Sequence, residues 1–278
     1  MIGPMMPPLP DNAHKPSSNP SADIDGFNRL KDCRHGRMLY NVNDQFVGRA
    51  FDLYGEWSEG EVEVFRQIIR PGDVVIDVGA NIGARTIFFA RAVTEAGQMW
   101  AIEPHRLAFQ TLCANVALNS LTNVWCMQAA AADVPGAVRV PHLNPRRPQN
   151  FAGLSLDQDR LGEQVQVIRL DSLPLSRCRL IKADVEGMER QALIGAAGLI
   201  EKFKPVLYVE SDREEFHADL IRHIASIGYR AYWHRPPLFN SANFLRNPRN
   251  VFGTIVSINL LCVPTSQPAV IQGLKPVE

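Results

Sequence analysis

Asp77, Gly79 and Gly83 stand in the run Val74-Val-Ile-Asp-Val-Gly-Ala-Asn-Ile-Gly83, and Glu103 follows Gly83 by about 20 residues. An apolar run that ends in an aspartate and turns through two glycines sets backbone N–H groups at a helix N-terminus, where they can face a polar or anionic ligand. An acid at the end of the next apolar run, Gln98-Met-Trp-Ala-Ile-Glu103, is spaced to meet a ribose diol. The pattern points to a ribose-bearing cofactor. For Asp77 the alternative is a cap on the following turn, and for Glu103 a solvated strand-end charge before Pro104.

The second chemical stretch is Lys182-Ala-Asp184-Val-Glu186-Gly187. Strand periodicity puts Lys182 and Asp184 on one face, and a lysine in an otherwise apolar strand is costly to bury without a partner. Two accounts stay open: an internal ion pair, or a site acid with its lysine at the mouth of a pocket. Glu210 ends the next apolar run, Pro205-Val-Leu-Tyr-Val-Glu210.

The elements that must position these residues alternate. A helix carrying Val62, Phe65 and Ile69 stops at Pro71-Gly72. Strand 74–78, helix 83–96, strand 98–103, helix 106–118 and strand 123–130 follow. After an irregular stretch over 135–163, strands are expected at 164–170, 178–184, 205–210, 229–233 and 254–263, with helices at 187–202 and 213–227. This alternation predicts an α/β doubly wound sheet of parallel strands with right-handed crossovers. Upstream, 38–40 and 45–47 flank the turn-forming Asn41-Val-Asn-Asp44 and read as a hairpin. Residues 1–22, rich in proline, serine and asparagine, read as a disordered tail, 23–70 as an extension packed on the core, 71–264 as the main domain and 265–278 as a C-terminal tail.

With 278 residues and 46% hydrophobic composition, one full-sized core is the expectation. Lysine plus arginine and aspartate plus glutamate both number 29, so nothing suggests a nucleic-acid partner. Five scattered cysteines without a CxxC pair argue against a disulfide framework and a zinc site and fit a reducing cytoplasm. Neither a membrane span nor a signal peptide is evident. Too few clustered ligands are visible to expect a metal.

IKADVEGMERQALIGA, VIDVGANIGART and the upstream YGEWSE together resemble the FkbM family of S-adenosylmethionine-dependent methyltransferases, over roughly residues 50–263. PLFNSANFLRNPRNVFG followed by SINLLCVP is similar to the branch of that family often found among bacterial glycan and secondary-metabolite genes. The resemblance implies a class I methyltransferase (Rossmann-like) sheet of seven strands with an antiparallel last strand, S-adenosylmethionine as cofactor, and O-methylation. Asp77, Gly79, Asn81 and Gly83 match the family's first motif, Glu103 the ribose acid, and Glu56 the acid of the upstream motif. Where many class I enzymes carry an adenine-binding aspartate, this chain reads Gln128-Ala-Ala-Ala-Ala-Asp133, which leaves backbone near Ala130, or Asp133 on a longer strand, for adenine.

Methyl transfer is an in-line displacement that needs a positioned acceptor and a base to take its proton. Asp184 is the expected base, with Lys182 tuning it and Glu186 or Glu210 close by; His142 and His234 are the loop alternatives. The loop 234–252 is long for a plain connector. Asn240, Asn243 and Phe244 in it suit a polyhydroxylated acceptor, the alternative being a structural loop pinned by asparagine turns. Arg146 and Arg147 fit an acidic acceptor or a solvated loop. The leading expectation is O-methylation of a sugar, glycan or glycosylated metabolite. Polyketide or peptide tailoring, or an inactive cofactor-binding module, are the alternatives.

Overall fold

The computed structural model describes residues 22–23, 26–151, 153, 162–267 and 273–277. Apart from Ala22, the proposed N-terminal tail lies outside the described residues. Strands β1 (Ala22–Asp23), β2 (Asn28–Cys33) and β3 (Gly36–Asn41) form a small antiparallel sheet. The expected hairpin is therefore shifted: its turn is Arg34-His35, and Gln45-Phe-Val47 is not a strand. Val47 instead opens helix α1 (Val47–Tyr54), which buries Val47, Ala50, Phe51 and Tyr54 at helical spacing. Helix α2 (Glu59–Ile68) follows and buries Val62 and Phe65.

The main body alternates as expected: β4 (Val74–Val78), α3 (Ala84–Val93), β5 (Gln98–Ile102), α4 (Arg106–Leu118) and β6 (Val124–Met127). The strand expected to run to residue 130 stops at Met127. Ala130–Ala131 (β7) joins a separate small sheet with β8 (Gly136–Val140) and β9 (Glu163–Ile168), in the order β7-β9-β8. The irregular stretch thus contributes a strand to a cap beside the main sheet.

Then come β10 (Leu180–Ala183), the short helices α5 (Glu189–Ile194) and α6 (Ala197–Phe203), β11 (Val206–Glu210), α7 (Glu214–Ser226), β12 (Tyr229–His234), β13 (Asn259–Pro264) and β14 (Lys275–Pro276). The single helix expected over 187–202 is broken between Ile194 and Ala197. There Gly195 meets the Ala132 carbonyl so closely that a Cβ would stand 2.2 Å from it.

The central sheet has eight strands in the order β14-β12-β13-β11-β10-β4-β5-β6. β10, β11, β4, β5 and β6 are parallel, and β13 runs antiparallel between β11 and β12. This is the Rossmann-like class I arrangement. The added strand β14 pairs with Tyr232 and Trp233, so part of the expected C-terminal tail belongs to the sheet.

Apolar residues cover both faces. Ile76, Val78, Ile181 and Leu207 pack with Leu193, Leu199, Leu220 and Ile224 from α5, α6 and α7. Val75, Met99 and Tyr208 on the other face pack with Phe65, Phe89 and Leu112 from α2, α3 and α4. Each fully buried side chain of this kind contributes roughly 1.5–3 kcal/mol. The strand order reverses between β4 and β10, and in open α/β sheets the crevice at the carboxyl ends of such strands receives the ligand.

Candidate active site

A cavity opens at that reversal. Its floor is the turn Gly79-Ala80-Asn81 after β4. One flank holds Glu103 and Ala129–Ala131; the other holds Lys182, Asp184, Glu186 and Glu210. Glu103, Asp184 and Glu210 sit where strands end and Glu186 in the turn after β10, so the parallel register brings them to one mouth.

Gly79 is at φ +77, and a Cβ there would stand 1.7 Å from the Asp184 carbonyl oxygen. The strand-end turns of β4 and β10 therefore touch, which only glycine permits. Asn81 also adopts positive φ. Gly83 meets Leu112 of α4 rather than the cavity: its Cβ would come within 2.8 Å of that side chain. Its role is helix packing.

Glu103 is buried, and its two oxygens accept the backbone N–H groups of Asn81 (2.8 Å) and His105 (2.7 Å). Burial pushes its carboxyl up to about 7, against those two hydrogen bonds and with Asp184 and Asp77 adding negative charge. Each oxygen keeps a lone pair for a hydroxyl donor.

Asp77 is fully buried beneath the floor and does not line the cavity. Thr86 Oγ1 donates to it at 2.9 Å, and Lys182 pairs with it at 3.1 Å. Cross-strand register sets Lys182 directly opposite Asp77. The same ammonium reaches Asp184 at 3.2 Å. Burial opposes the charge on Lys182, but Asp184 and Asp77 outweigh it and hold its pKa above the ordinary lysine value. The ion-pair account of Lys182 is the one observed, and Asp184, its side chain 38% exposed, also lines the cavity.

Glu186 pairs with Arg213 at 2.6 Å. Burial pushes its carboxyl up to about 7, the Arg213 contact working the other way. Glu210 is pushed well up, first by burial and then by Asp184.

Several expected contacts lie elsewhere. Glu56 is buried away from the cavity, accepting Arg34 Nε (2.6 Å), Asn240 Nδ2 (2.8 Å) and the Phe244 N–H (2.8 Å). It anchors the loop 234–252 to the first helices instead of holding a cofactor. Asn243 ties that loop to itself, donating to the Asn240 and Asn247 carbonyls and accepting the Asn247 N–H. Phe244 packs over Gly55. The structural reading of the loop is the one observed, and none of Asn240, Asn243 and Phe244 lines the cavity. Asp133 lies past the Ala129–Ala131 wall, its carbonyl accepting Arg169; Ala130 is on the wall itself. His142 is exposed near Glu163. His234 is buried against the Tyr208 hydroxyl at 2.8 Å.

Sequence reading missed Glu61 and Arg85, both buried and both lining the cavity. Arg85 binds Glu61 (3.1 Å) and the carbonyls of Trp57 and Ser58. The Ser58-x-x-Glu61 spacing was the available signal, and Ser58 Oγ does donate to Glu61 at 2.9 Å.

The model of the methyltransferase FkbM domain matches residues 77–231. The chain belongs to the FkbM methyltransferase family. Among curated proteins, the tRNA(Phe) (4-demethylwyosine(37)-C(7)) aminocarboxypropyltransferase of Methanocaldococcus jannaschii is 36% identical over 110 residues, covering 36% of this chain and 44% of that protein. The chain thus spans less than half the length of that relative. Among solved structures, the methyltransferase FkbM of Methylobacillus flagellatus KT is 22% identical, with a TM-score of 0.45, covering 72% of this chain and 50% of that one. The precorrin-6y C5,15-methyltransferase of Geobacter metallireducens is 12% identical, with a TM-score of 0.46 and coverage of 74% and 87%. Neither bears on the acceptor.

The family uses S-adenosylmethionine, and the residues present fit it. Glu103 offers two acceptor oxygens for the ribose diol. The Gly79–Asn81 backbone lies open for the methionine end, and Ala129–Ala131 leave a flat, small-residue wall for adenine. When bound, the cofactor supplies an electrophilic methyl group.

Proposed function

We propose that the chain is an S-adenosylmethionine-dependent O-methyltransferase whose acceptor is a hydroxyl of a sugar, a glycan or a glycosylated metabolite. The observation that carries this reading is Asp184, a carboxylate facing the cavity from the end of β10 with one oxygen held by a buried lysine. Asp184 takes the acceptor proton, and Lys182 fixes its direction by gripping Asp77 at the same time. Glu103 and the Gly79–Asn81 turn hold the cofactor across β4, so the acceptor enters from the β10–β11 side. Phe151, Val140 and Trp57 supply an apolar wall, and the carboxylates supply hydroxyl acceptors. A walled mixture of this kind suits a ring with an apolar face and polar edges.

No helix among the described residues is long and apolar enough to cross a membrane. A cytoplasmic setting accords with the five free cysteines.

The test is to incubate the protein with methyl-labelled cofactor and pooled oligosaccharide and glycosylated-metabolite extracts, and to follow label by mass spectrometry. Label on a sugar oxygen, lost in Asp184→Asn while S-adenosylhomocysteine still binds, supports the reading. Label on a polyketide or peptide moiety instead, or cofactor binding without turnover on any extract, overturns the acceptor assignment.

A further inference from the structure

Sequence spacing shows no cluster of metal ligands, yet the fold makes one. Asp184 and Glu186 follow β10, Glu210 ends the neighbouring β11, and one carboxylate oxygen from each lies within 4.8 Å of the others. All three line the cavity on the flank opposite Glu103.

The surrounding cations are already committed. Lys182 divides its protons among Asp77, Asp184 and, at 3.5 Å, the Gly79 carbonyl. Arg213 is bound to Glu186. Glu210 has no cationic partner among the described residues: its side chain meets the Asp184 carboxylate, and its Oε2 is buried without a hydrogen-bond partner. A buried carboxylate oxygen with nothing to accept from is expensive to keep. It lies beside two further carboxylates that open on the same cavity, which is an arrangement short of positive charge.

We infer that Asp184, Glu186 and Glu210 form a binding site for one divalent, oxygen-seeking cation of the Mg2+, Mn2+ or Ca2+ type on the acceptor flank of the cavity. Three carboxylates are hard oxygen donors of the kind that suit such ions, and they leave coordination positions for water or for acceptor oxygens. The unpartnered Glu210 oxygen then gains a partner. Its use in turnover, gripping two neighbouring oxygens of the acceptor, rests on the methyl-transfer reading; the site itself does not.

The full chain, stripped with chelator and desalted, is titrated with Mn2+ while free Mn2+ is followed by electron paramagnetic resonance. One ion per chain is expected, with Glu210→Gln and Glu186→Gln each weakening it by roughly tenfold or more. Glu163→Gln, remote from the cluster, leaves it unchanged. S-adenosylhomocysteine binding reports that each variant is folded, and either carboxylate variant alone decides the matter. Absence of Mn2+ binding to the wild type, or equal affinity in a folded variant, overturns the inference. Failure of the wild type to bind S-adenosylhomocysteine would instead strike the cofactor reading and leave the Mn2+ result standing.

Discussion

Lys182 and Asp77 face each other across the β10–β4 register and form a 3.1 Å ion pair in which neither side chain is more than 5% exposed. The pair joins the strand that carries the Gly79–Asn81 turn to the strand that leads into Asp184. Lys182→Met leaves Asp77 charged, buried and supported only by Thr86. The expected loss is about 3–5 kcal/mol, read from urea unfolding. A loss below about 1 kcal/mol would mean that the pair is not what holds Asp77.

Glu103 sets a pH dependence. Its folded-state pKa is raised from 4.5 to about 7, so the free protein favours the protonated form only below about pH 7. This group therefore stabilises the fold below about pH 4.5, and the contribution is lost as pH rises through about 7. Accepting from a ribose diol, the role proposed for Glu103, needs the opposite state, an ionised carboxylate. S-adenosylhomocysteine affinity is expected to fall as pH drops below about 7, by at most roughly tenfold per pH unit. Glu103→Gln should weaken binding and flatten this profile, as calorimetry across that range would show.

Glu56 separates the structural from the cofactor role most cleanly. Glu56→Ala leaves the Arg34 guanidinium only its Ala242 carbonyl bond and a 3.9 Å contact with Glu59, and frees Asn240 and the Phe244 N–H, so stability should fall by roughly 3 kcal/mol. Cofactor affinity should change by less than about twofold, since RT ln 2 is only about 0.4 kcal/mol. Thermal unfolding and S-adenosylhomocysteine titration of the same preparation check both.

Gly79→Ala should be far more damaging than Gly83→Ala. At Gly79 a Cβ would collide with the Asp184 backbone, whereas at Gly83 it meets the end of the Leu112 side chain, which can rotate. Positive φ alone costs about 1–2 kcal/mol at either site. The additional backbone shift at Gly79 should cut cofactor affinity by roughly tenfold or more, because the displaced turn is the floor proposed to hold the cofactor. Equal effects at the two glycines would argue against that floor.

How much of this was legible in the sequence depended on how local each determinant is. Val74–Val78 is a five-residue apolar strand ending beside Gly79, and that pattern is complete within the segment. The acids at strand ends were readable for the same reason. Helix α1 was misread because the turn residues Asn41–Asp44 suggested a hairpin, although Val47, Ala50, Phe51 and Tyr54 already held helical spacing. The cap strand β8 depends on pairing with β9, more than 20 residues on, and has no local signature. Glu56 was assigned to the cofactor by motif position alone. Its real partners, Asn240 and Phe244, stand 184 and 188 residues away. The convergence of Glu210 with Asp184 and Glu186 likewise follows from the β10–β11 register, which no single segment contains.

The central claim is that the cavity at the β4–β10 reversal binds S-adenosylmethionine, with Glu103 on the ribose. Calorimetric titration of the purified chain with S-adenosylhomocysteine tests it most directly. The account predicts a single site whose affinity drops by roughly tenfold or more in Glu103→Ala, the loss expected for a buried carboxylate's hydrogen bonds. No heat with S-adenosylhomocysteine or S-adenosylmethionine, accompanied by saturable binding of NAD, would contradict it.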